Sequence, residues 1–140
     1  MLQHLCIRNL AVIEAIDIDF ESGFNVLSGE TGAGKSILIE AIGLLLGGRA
    51  TQDLVRTGEN KVTLEAVFEN ANQGKVTVRR EITDGGRSRA FVDGKAVSAA
   101  ALREAAGQHV ELYGQHEHHA LLDPLNHLFM LDDYAQLTEL

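Results

Sequence analysis

The chain is 140 residues long, is 45% hydrophobic and has a formal net charge of −8, which suits one globular domain with its own core. The acidic total gives no support for binding nucleic acid through bulk positive charge. No apolar run is long enough to span a membrane, and the first residues lack the pattern of a signal peptide. The single cysteine, Cys6, excludes an internal disulfide and fits a reducing cytosol, so we expect a cytoplasmic protein.

Three strands are predicted in the first 27 residues. Residues 2–10 and 13–20 both have strand character, and in the second of them isoleucines alternate with aspartates. The short apolar run Phe24–Leu27 is predicted to form a buried strand that leads directly into a glycine-rich loop. Simple kinases and small GTPases place such a loop after their first strand, so two earlier strands are a departure from that arrangement.

The glycine-rich loop reads GETGAGKS over Gly29–Ser36 and fits the phosphate-binding pattern G-x-x-x-x-G-K-[ST]. Its glycines let the backbone curl around a phosphate with several N–H groups pointing inward. Lys35 can reach the β- and γ-phosphates, and the hydroxyl of Ser36 can bind Mg²⁺. The predicted nucleotide-binding residues are Gly29, Glu30, Thr31, Gly32, Ala33, Gly34, Lys35, Ser36 and Ile37.

A helix is predicted to follow the loop, over Ile37–Leu46. It is apolar on nearly every face except at Glu40, so we expect it to be buried on most sides. The pair Gly47-Gly48 predicts its C-terminal end. The N-terminus of this helix would add the positive end of its dipole to the phosphate site. Strand, loop and helix together predict a nucleotide phosphate site.

The remaining sequence predicts a polar connection over residues 49–60, followed by a mainly antiparallel strand region. A hairpin turn is expected at Asp84–Gly86 and another tight turn at Asp93-Gly94. Ser98 is expected to cap a helix that has Leu102 and Ala105 on its apolar side. The predicted elements are strands over 61–69, 75–83, 88–92 and 110–113, and helices over 99–106 and from Pro124 onward.

Six basic residues fall in one stretch of this region, interspersed with three acidic ones. They are either a local basic surface or, in the plainer interpretation, part of a solvated hairpin of mixed charge. The basic residues are Lys75, Arg79, Arg80, Arg87, Arg89 and Lys95.

Several stretches besides the loop resemble a known family. Together, and in this order, they resemble the head segment of the RecN family, SMC-like bacterial ATPases of DNA double-strand-break repair. The resemblance extends over essentially the whole chain. The stretches are LCIRNL at 5–10, LLLGGRA at 44–50, VRTG at 55–58, RSRAFVDG at 87–94 and GQHEH at 114–118.

The resemblance implies an α/β P-loop NTPase fold, in which residues 1–140 are the N-terminal lobe of an ABC-ATPase-like head with an antiparallel β-subdomain. It implies ATP and Mg²⁺ as ligands. Gln115 matches the glutamine-loop position that helps to hold Mg²⁺ and the attacking water. Arg56 matches an arginine that can lie near the phosphates, although an ordinary surface arginine is an equally good interpretation.

The family also implies partners. Its heads are completed by a C-terminal half, which follows a long coiled coil and supplies the Walker B acidic residues and the signature motif. Two heads then form a homodimer around two ATP molecules, and the full-length protein acts on DNA in the bacterial nucleoid. No Leu-Ser-Gly-Gly stretch and no convincing Walker B strand occur here, so we expect negligible hydrolysis by this chain alone.

Two other functions are alternatives for this chain. A self-contained P-loop kinase or GTPase would need an acceptor-site or N-K-x-D motif, and none is present. A dimerisation or DNA-contact module could use the basic hairpin. The cluster His116–His119 suggests a metal site, but position 120 is alanine where the H-E-x-x-H pattern needs histidine, and a loop beside the nucleotide is the better interpretation.

Overall fold

The computed structural model describes residues 1–30, 34–70, 74–107 and 109–110, together with 127–128, 131–132 and 134–135. The chain divides into two compact units, Met1–Val110 and Glu111–Leu140. Gln115, the cluster His116–His119 and the strand expected over 110–113 lie wholly or mainly outside the described residues.

The first unit is built on a six-stranded antiparallel sheet in the order β2-β1-β3-β4-β5-β6. Two α-helices pack against it, and a short 3-10 helix, Gln52–Leu54, lies between α1 and β3. The elements are β1 (Leu2–Leu10), β2 (Ile13–Asp19), α1 (Lys35–Leu45), β3 (Lys61–Asn70), β4 (Gly74–Thr83), β5 (Ser88–Val92), β6 (Lys95–Val97) and α2 (Ala99–Gly107).

The strand register aligns a row of residues that face the core across the sheet. Ile7 of β1 pairs with Ile16 of β2 on one side and with Leu64 of β3 on the other. Leu64 in turn pairs with Arg80 of β4, which pairs with Ala90 of β5. Because side chains alternate between the faces of a sheet, this row and its neighbours form the floor of the core under α1 and α2. The predicted period-2 strands are therefore confirmed.

The opposite face of the sheet is polar. Arg8 donates to the carboxylate of Asp17 at 2.6 Å, and the Arg79 guanidinium lies 4.5 Å from the ring centre of Phe91. The hydrogen bond from Arg8 holds the pKa of Asp17 below its usual value. Burial and the neighbouring Asp17 raise the pKa of the Cys6 thiol, which fits an unreactive strand cysteine.

The helix α1 ends as its glycine pair predicts. Gly47 has φ of 89°, in the left-handed region that favours glycine. Its N–H donates to Leu44 O at 3.1 Å, and the N–H of Gly48 donates to Gly43 O at 2.9 Å. These two bonds form a Schellman motif, so the C-terminal end of α1 is fixed by the chain's own backbone.

The turns of the second half also follow their residues. Asp93 and Gly94 both have positive φ, 48° and 76°, as in a type I′ hairpin turn. This turn joins β5 to β6, a three-residue edge strand that was not predicted. The Ser98 hydroxyl accepts a hydrogen bond from Ala101 N at 3.1 Å, so the predicted cap of α2 is confirmed. Of the two residues expected on the apolar side of α2, Leu102 is buried and Ala105 is half-buried; Ala106 is buried as well.

The expected strand over Phe24–Leu27 is wrong. No strand forms there, and the side chains of Phe24, Val26 and Leu27 are 93%, 71% and 49% exposed. An apolar run becomes a strand only where a neighbouring strand supplies hydrogen bonds, and no strand of the described sheet pairs with this run. The expectation for α1 is likewise only partly right, because one face of the helix is buried while Ile39 is 47% exposed.

The described residues of the second unit are mostly helical. His127, Leu128, Leu131, Asp132 and Tyr134 all have helical backbone, as predicted for the region after Pro124. Leu128 and Leu131 are 64% and 63% exposed. Among the described residues of the whole chain, no helix has both the length and the apolar character needed to cross a membrane.

Candidate nucleotide-binding site

Gly34 connects the loop to α1. It is the N-cap residue of the helix and has φ of 91°, which a residue with a side chain rarely adopts. Its carbonyl accepts the first helical hydrogen bond, from Leu38 N at 3.1 Å. No side chain of the described residues caps this end of α1, and its first turn contains no acidic residue. The amide groups of the first turn therefore remain available to an anion.

Lys35 is the first residue of α1, and its side chain turns back over the loop. Its Nζ donates to Glu30 O at 2.6 Å and also to Gly29 O. The ammonium thus lies over the first residues of the loop, and both it and the N-terminus of α1 favour negative charge. Of the nine predicted loop residues, Thr31, Gly32 and Ala33 lie outside the described residues.

The next two predicted residues differ in exposure. Ser36 is exposed in the first turn of α1, where its hydroxyl could serve as an oxygen ligand of Mg²⁺. Ile37 is half-buried and packs at the margin of the core. Of the two residues predicted to bind Mg²⁺, Ser36 is described by the structure, whereas Gln115 lies outside the described residues. No group of three or more His, Cys, Asp or Glu side chains placed to hold a metal is found in this described part.

A cavity of about 300 Å³ lies beside the end of the loop. Gly34 and Leu38 line one side of it. The other side is formed by residues 12–16, at the turn between β1 and β2 and the start of β2. The sequence patterns did not assign these residues to the site. Only the pairing of β2 with β1, which brings that turn close to the start of α1, could have indicated that these residues line the site.

Arg56 lies against the same turn. Its Nη1 donates to Val12 O at 2.9 Å, and its Nη2 lies 4.0 Å from a carboxylate oxygen of Glu14. Its own backbone N–H donates to Asn9 O at 3.0 Å. Arg56 therefore lies beside Val12 and Glu14, which line the cavity next to Gly34. One of its guanidinium nitrogens, Nη1, is already hydrogen-bonded to the backbone.

The β1–β2 turn is held in an unusual backbone conformation. Asn9 and Ala11 have φ of 57° and 49°, in the left-handed region. Besides the two bonds from Arg56, two more tie the turn to the segment after α1: Ala11 N donates to Leu54 O at 2.8 Å, and the Asn9 side chain donates to Glu59 at 3.0 Å. These contacts offset the strain, because residues without a favourable φ need such support from their surroundings.

A sequence profile described as an AAA domain matches residues 4–129. The chain belongs to the AAA domain family. Among its curated relatives are DNA repair protein RecN of Bacillus subtilis, 43% identical, and DNA repair protein RecN of Halalkalibacterium halodurans, 41% identical. Each alignment covers 96% of this chain but only 26% and 27%, respectively, of the relative. The resemblance to RecN is therefore confirmed, and the chain spans about a quarter of the length of these relatives.

Solved structures similar to this member of the AAA domain family include an SMC ATPase, an SMC head domain and the recombination mediator RecF. One, from work on ATP-driven dimerization and DNA-stimulated activation of SMC ATPases, has a TM-score of 0.69 at 20% identity, covering 95% of this chain and 98% of that one. The SMC head domain from Thermotoga maritima has a TM-score of 0.67 at 25% identity, covering 74% and 41%. The recombination mediator RecF with ATP has a TM-score of 0.66 at 22% identity, covering 73% and 29%. The predicted fold class is confirmed.

Proposed function

We propose that this chain is the ATP-binding part of the head of a RecN-like DNA repair protein. The observation that carries the proposal is the position of Lys35. Its ammonium lies over the first residues of the loop, and α1 begins with no side-chain cap from the described residues and no acidic residue in its first turn. A lysine, free helical N–H groups and a glycine in the left-handed region are what a triphosphate requires of its binding loop.

In this proposal the loop residues 29–34 cradle the phosphates and Lys35 neutralises the β- and γ-phosphates. Ser36 ligates Mg²⁺ through its exposed hydroxyl, and Gln115 helps to hold the metal ion and the attacking water. Arg56 is a candidate phosphate contact because it borders the cavity beside Gly34. A bound Mg²⁺ would supply charge neutralisation of the phosphate oxygens.

In this proposal, hydrolysis of ATP needs residues from outside this chain. The sequence contains no Leu-Ser-Gly-Gly stretch and no convincing Walker B strand, so the C-terminal half of the head and a second head supply them. The exposed apolar residues support this assignment, because apolar side chains that are exposed as a group mark surfaces that contact a partner. Those near the loop and α1 are Val12, Phe24, Val26, Leu27 and Ile39.

For the full-length protein we extend the proposal to a cycle. ATP would join two heads in a homodimer, and hydrolysis would separate them during recombinational repair of double-strand breaks in the bacterial nucleoid. The relatives named DNA repair protein RecN support the repair context. The SMC ATPase structure described by ATP-driven dimerization and DNA-stimulated activation supports the cycle.

Isothermal titration of the chain with Mg-ATP tests the proposal. We expect saturable binding that Lys35→Ala weakens at least about tenfold, because a charge-assisted contact to phosphate contributes about 1.5–3 kcal/mol. Lys95→Ala, on the exposed edge strand β6, is the matched control and should bind like the wild type. Absence of Mg-ATP binding, or equal binding by Lys35→Ala, would contradict the site assignment.

A further inference from the structure

Arg80 is a buried arginine in the middle of β4. Only 4% of its surface is exposed, and it is the one buried charged or polar residue among those described. Its Nε donates to Ser88 Oγ at 2.9 Å. Its Nη1 donates to two backbone oxygens, Leu44 O at 2.5 Å and Gly48 O at 2.6 Å. Both oxygens belong to the C-terminal end of α1 and the turn that follows it.

No ion pair between Arg80 and a carboxylate is found among the described residues. Burial accordingly lowers the pKa of its guanidinium. The available counter-charge is the negative end of the α1 dipole, because Leu44 O is one of the last four carbonyls of the helix. A buried charge of this kind is costly, and an apolar side chain of the same volume would fill the space at lower cost. Packing alone therefore does not explain an arginine at this position.

The two oxygens that Arg80 binds belong to residues of the Schellman motif: Leu44 O accepts the bond from Gly47 N, and Gly48 donates the other bond. Gly48 cannot carry a side chain there, because a Cβ atom would lie 2.7 Å from Gly43 O. Gly47 is also confined, since a Cβ atom would lie 3.0 Å from the Cβ of Arg103 in α2. The hydrogen bonds of Arg80 thus hold the turn after α1 against the sheet and fix the position of the C-terminal end of the helix.

The other end of α1 carries the phosphate site. The helix has 11 residues and is about 16 Å long. A hydrogen-bonded helix of that length moves as a rod, so the place where its C-terminal end is fixed also sets the position of Gly34 and Lys35. The guanidinium at the negative end of the dipole further complements an anion at the positive end.

We propose that Arg80 is a positioning residue for the phosphate loop: it holds α1 on the sheet so that the first-turn amides and Lys35 are set for a nucleotide phosphate. This inference rests on the proposed function, and it adds a residue that touches neither phosphate nor metal. It predicts that phosphate affinity depends on a side chain at the far end of the helix.

Mg-ATP titration of the 140-residue chain with Arg80→Met and Arg80→Lys tests the inference, at a temperature where circular dichroism shows each variant folded. We expect Arg80→Met to weaken Mg-ATP binding by about fivefold or more, the usual range for energetic coupling between distant sites. Arg80→Lys should recover part of the affinity, because one ammonium can donate to a helix-end carbonyl but cannot reproduce the planar fork.

Two controls separate positioning from a general loss of stability. Ile82→Ala removes a fully buried side chain two residues along the same face of β4, so it lowers the melting temperature while the bonds from Arg80 to the end of α1 stay in place. It should retain wild-type affinity when folded. Arg79→Met changes the adjacent arginine on the opposite face and should also bind normally.

Hydrogen exchange supplies a second measurement that does not depend on ATP. The amides of Gly47 and Gly48 should exchange faster in Arg80→Met than in Ile82→Ala. Wild-type affinity in Arg80→Met, or an equal loss of affinity in Ile82→Ala at a comparable melting temperature, overturns the inference while leaving the proposed function intact. A wild-type chain that does not bind Mg-ATP overturns both.

Discussion

Arg56 Nη1 donates a hydrogen bond to Val12 O at 2.9 Å and so joins the segment after α1 to the turn between β1 and β2. The two residues are 44 positions apart in the chain. Val12 itself lines the cavity beside Gly34. The bond therefore connects the shape of the candidate nucleotide site with a segment that lies outside the glycine-rich loop.

Arg56→Ala should lower the free energy of unfolding by about 1 kcal/mol. The side chain is 35% exposed, so its hydrogen bond to a backbone oxygen contributes somewhat less than the about 1.5–3 kcal/mol typical of charged donors. Urea unfolding measured by circular dichroism checks the value. Arg49→Ala is the control: Arg49 is exposed, and its side chain makes no hydrogen bond or ion pair with other described residues. A change below about 0.3 kcal/mol for Arg56→Ala would show that the turn does not depend on this bond.

Gly34→Ala should destabilise the start of α1 and weaken Mg-ATP binding together. A φ of 91° costs a residue with a Cβ atom about 1–2 kcal/mol, and relief of that strain would move the loop. Thermal unfolding and Mg-ATP titration measure the two effects. Gly107→Ala is a suitable control, since Gly107 lies at the end of α2 with space around it and without a positive φ. Unchanged stability in Gly34→Ala would contradict the left-handed cap.

Gly48→Ala should be destabilising for a different reason, which is overpacking. The added Cβ atom would lie 2.7 Å from Gly43 O, and that oxygen is fixed by its bond to Gly48 N. We expect a loss of about 1–3 kcal/mol in the free energy of unfolding, measured by chemical denaturation. Gly85→Ala, where the atom nearest to the added Cβ would be Thr83 Oγ1 at 3.9 Å, should differ from wild type by less than about 0.5 kcal/mol. Equal effects of the two substitutions would contradict this account.

Local signals in the sequence predicted most of the fold. Period-2 alternation located the principal strands, the glycine pair located the end of α1, and Ser98 located the start of α2. These features depend on neighbours only a few residues away. The phosphate loop was predictable for the same reason, since its lysine, hydroxyl and glycines lie within one octapeptide.

The features that were mispredicted depend on distant residues. Phe24–Leu27 is apolar enough for a strand, but a strand also needs a pairing edge that no local pattern reveals. Arg80 was grouped with neighbouring basic residues by composition. Its position between Val78 and Ile82 on the apolar side of β4 was the available signal, because alternation places all three on one face. Gln115 and its metal role stay a prediction.

The ion pair on the polar face should make stability depend on pH. The hydrogen bond from Arg8 lowers the pKa of Asp17 below its ordinary value of 3.8. A carboxyl group whose pKa is lower in the folded state binds protons more readily when unfolded. Its contribution is therefore complete above pH 3.8 and is lost as the pH falls through the folded-state pKa.

The variant Asp17→Asn tests this dependence. Its melting temperature should be lower than that of the wild type near pH 7, and the difference should shrink as the pH falls below about 3.8. Differential scanning calorimetry from about pH 7 to about pH 2 measures both curves. Asp53→Asn serves as control, because Asp53 is exposed in the 3-10 helix and makes no ion pair with the described residues. A difference that does not vary with pH would contradict the assignment.

Phe24→Ser should leave the stability of this chain nearly unchanged. The ring is 93% exposed, so its removal should alter the free energy of unfolding by less than about 0.5 kcal/mol. Phe68→Ala is the contrasting variant. Phe68 is 2% exposed, and its ring stacks on that of His109 with 5.5 Å between the ring centres. Its removal should lower the free energy of unfolding by about 3–5 kcal/mol. Chemical denaturation compares the two.

The same Phe24 substitution distinguishes the chain alone from a completed head. If the remaining half of the head covers Phe24–Leu27, Phe24→Ser should lower the melting temperature of the full-length protein although it leaves the chain unaffected. The loss should approach the cost of removing a buried aromatic side chain, because the transfer of apolar surface from water then occurs on assembly and not within this chain. Equal tolerance of Phe24→Ser in both contexts would show that the exposed run belongs to a surface that stays in water.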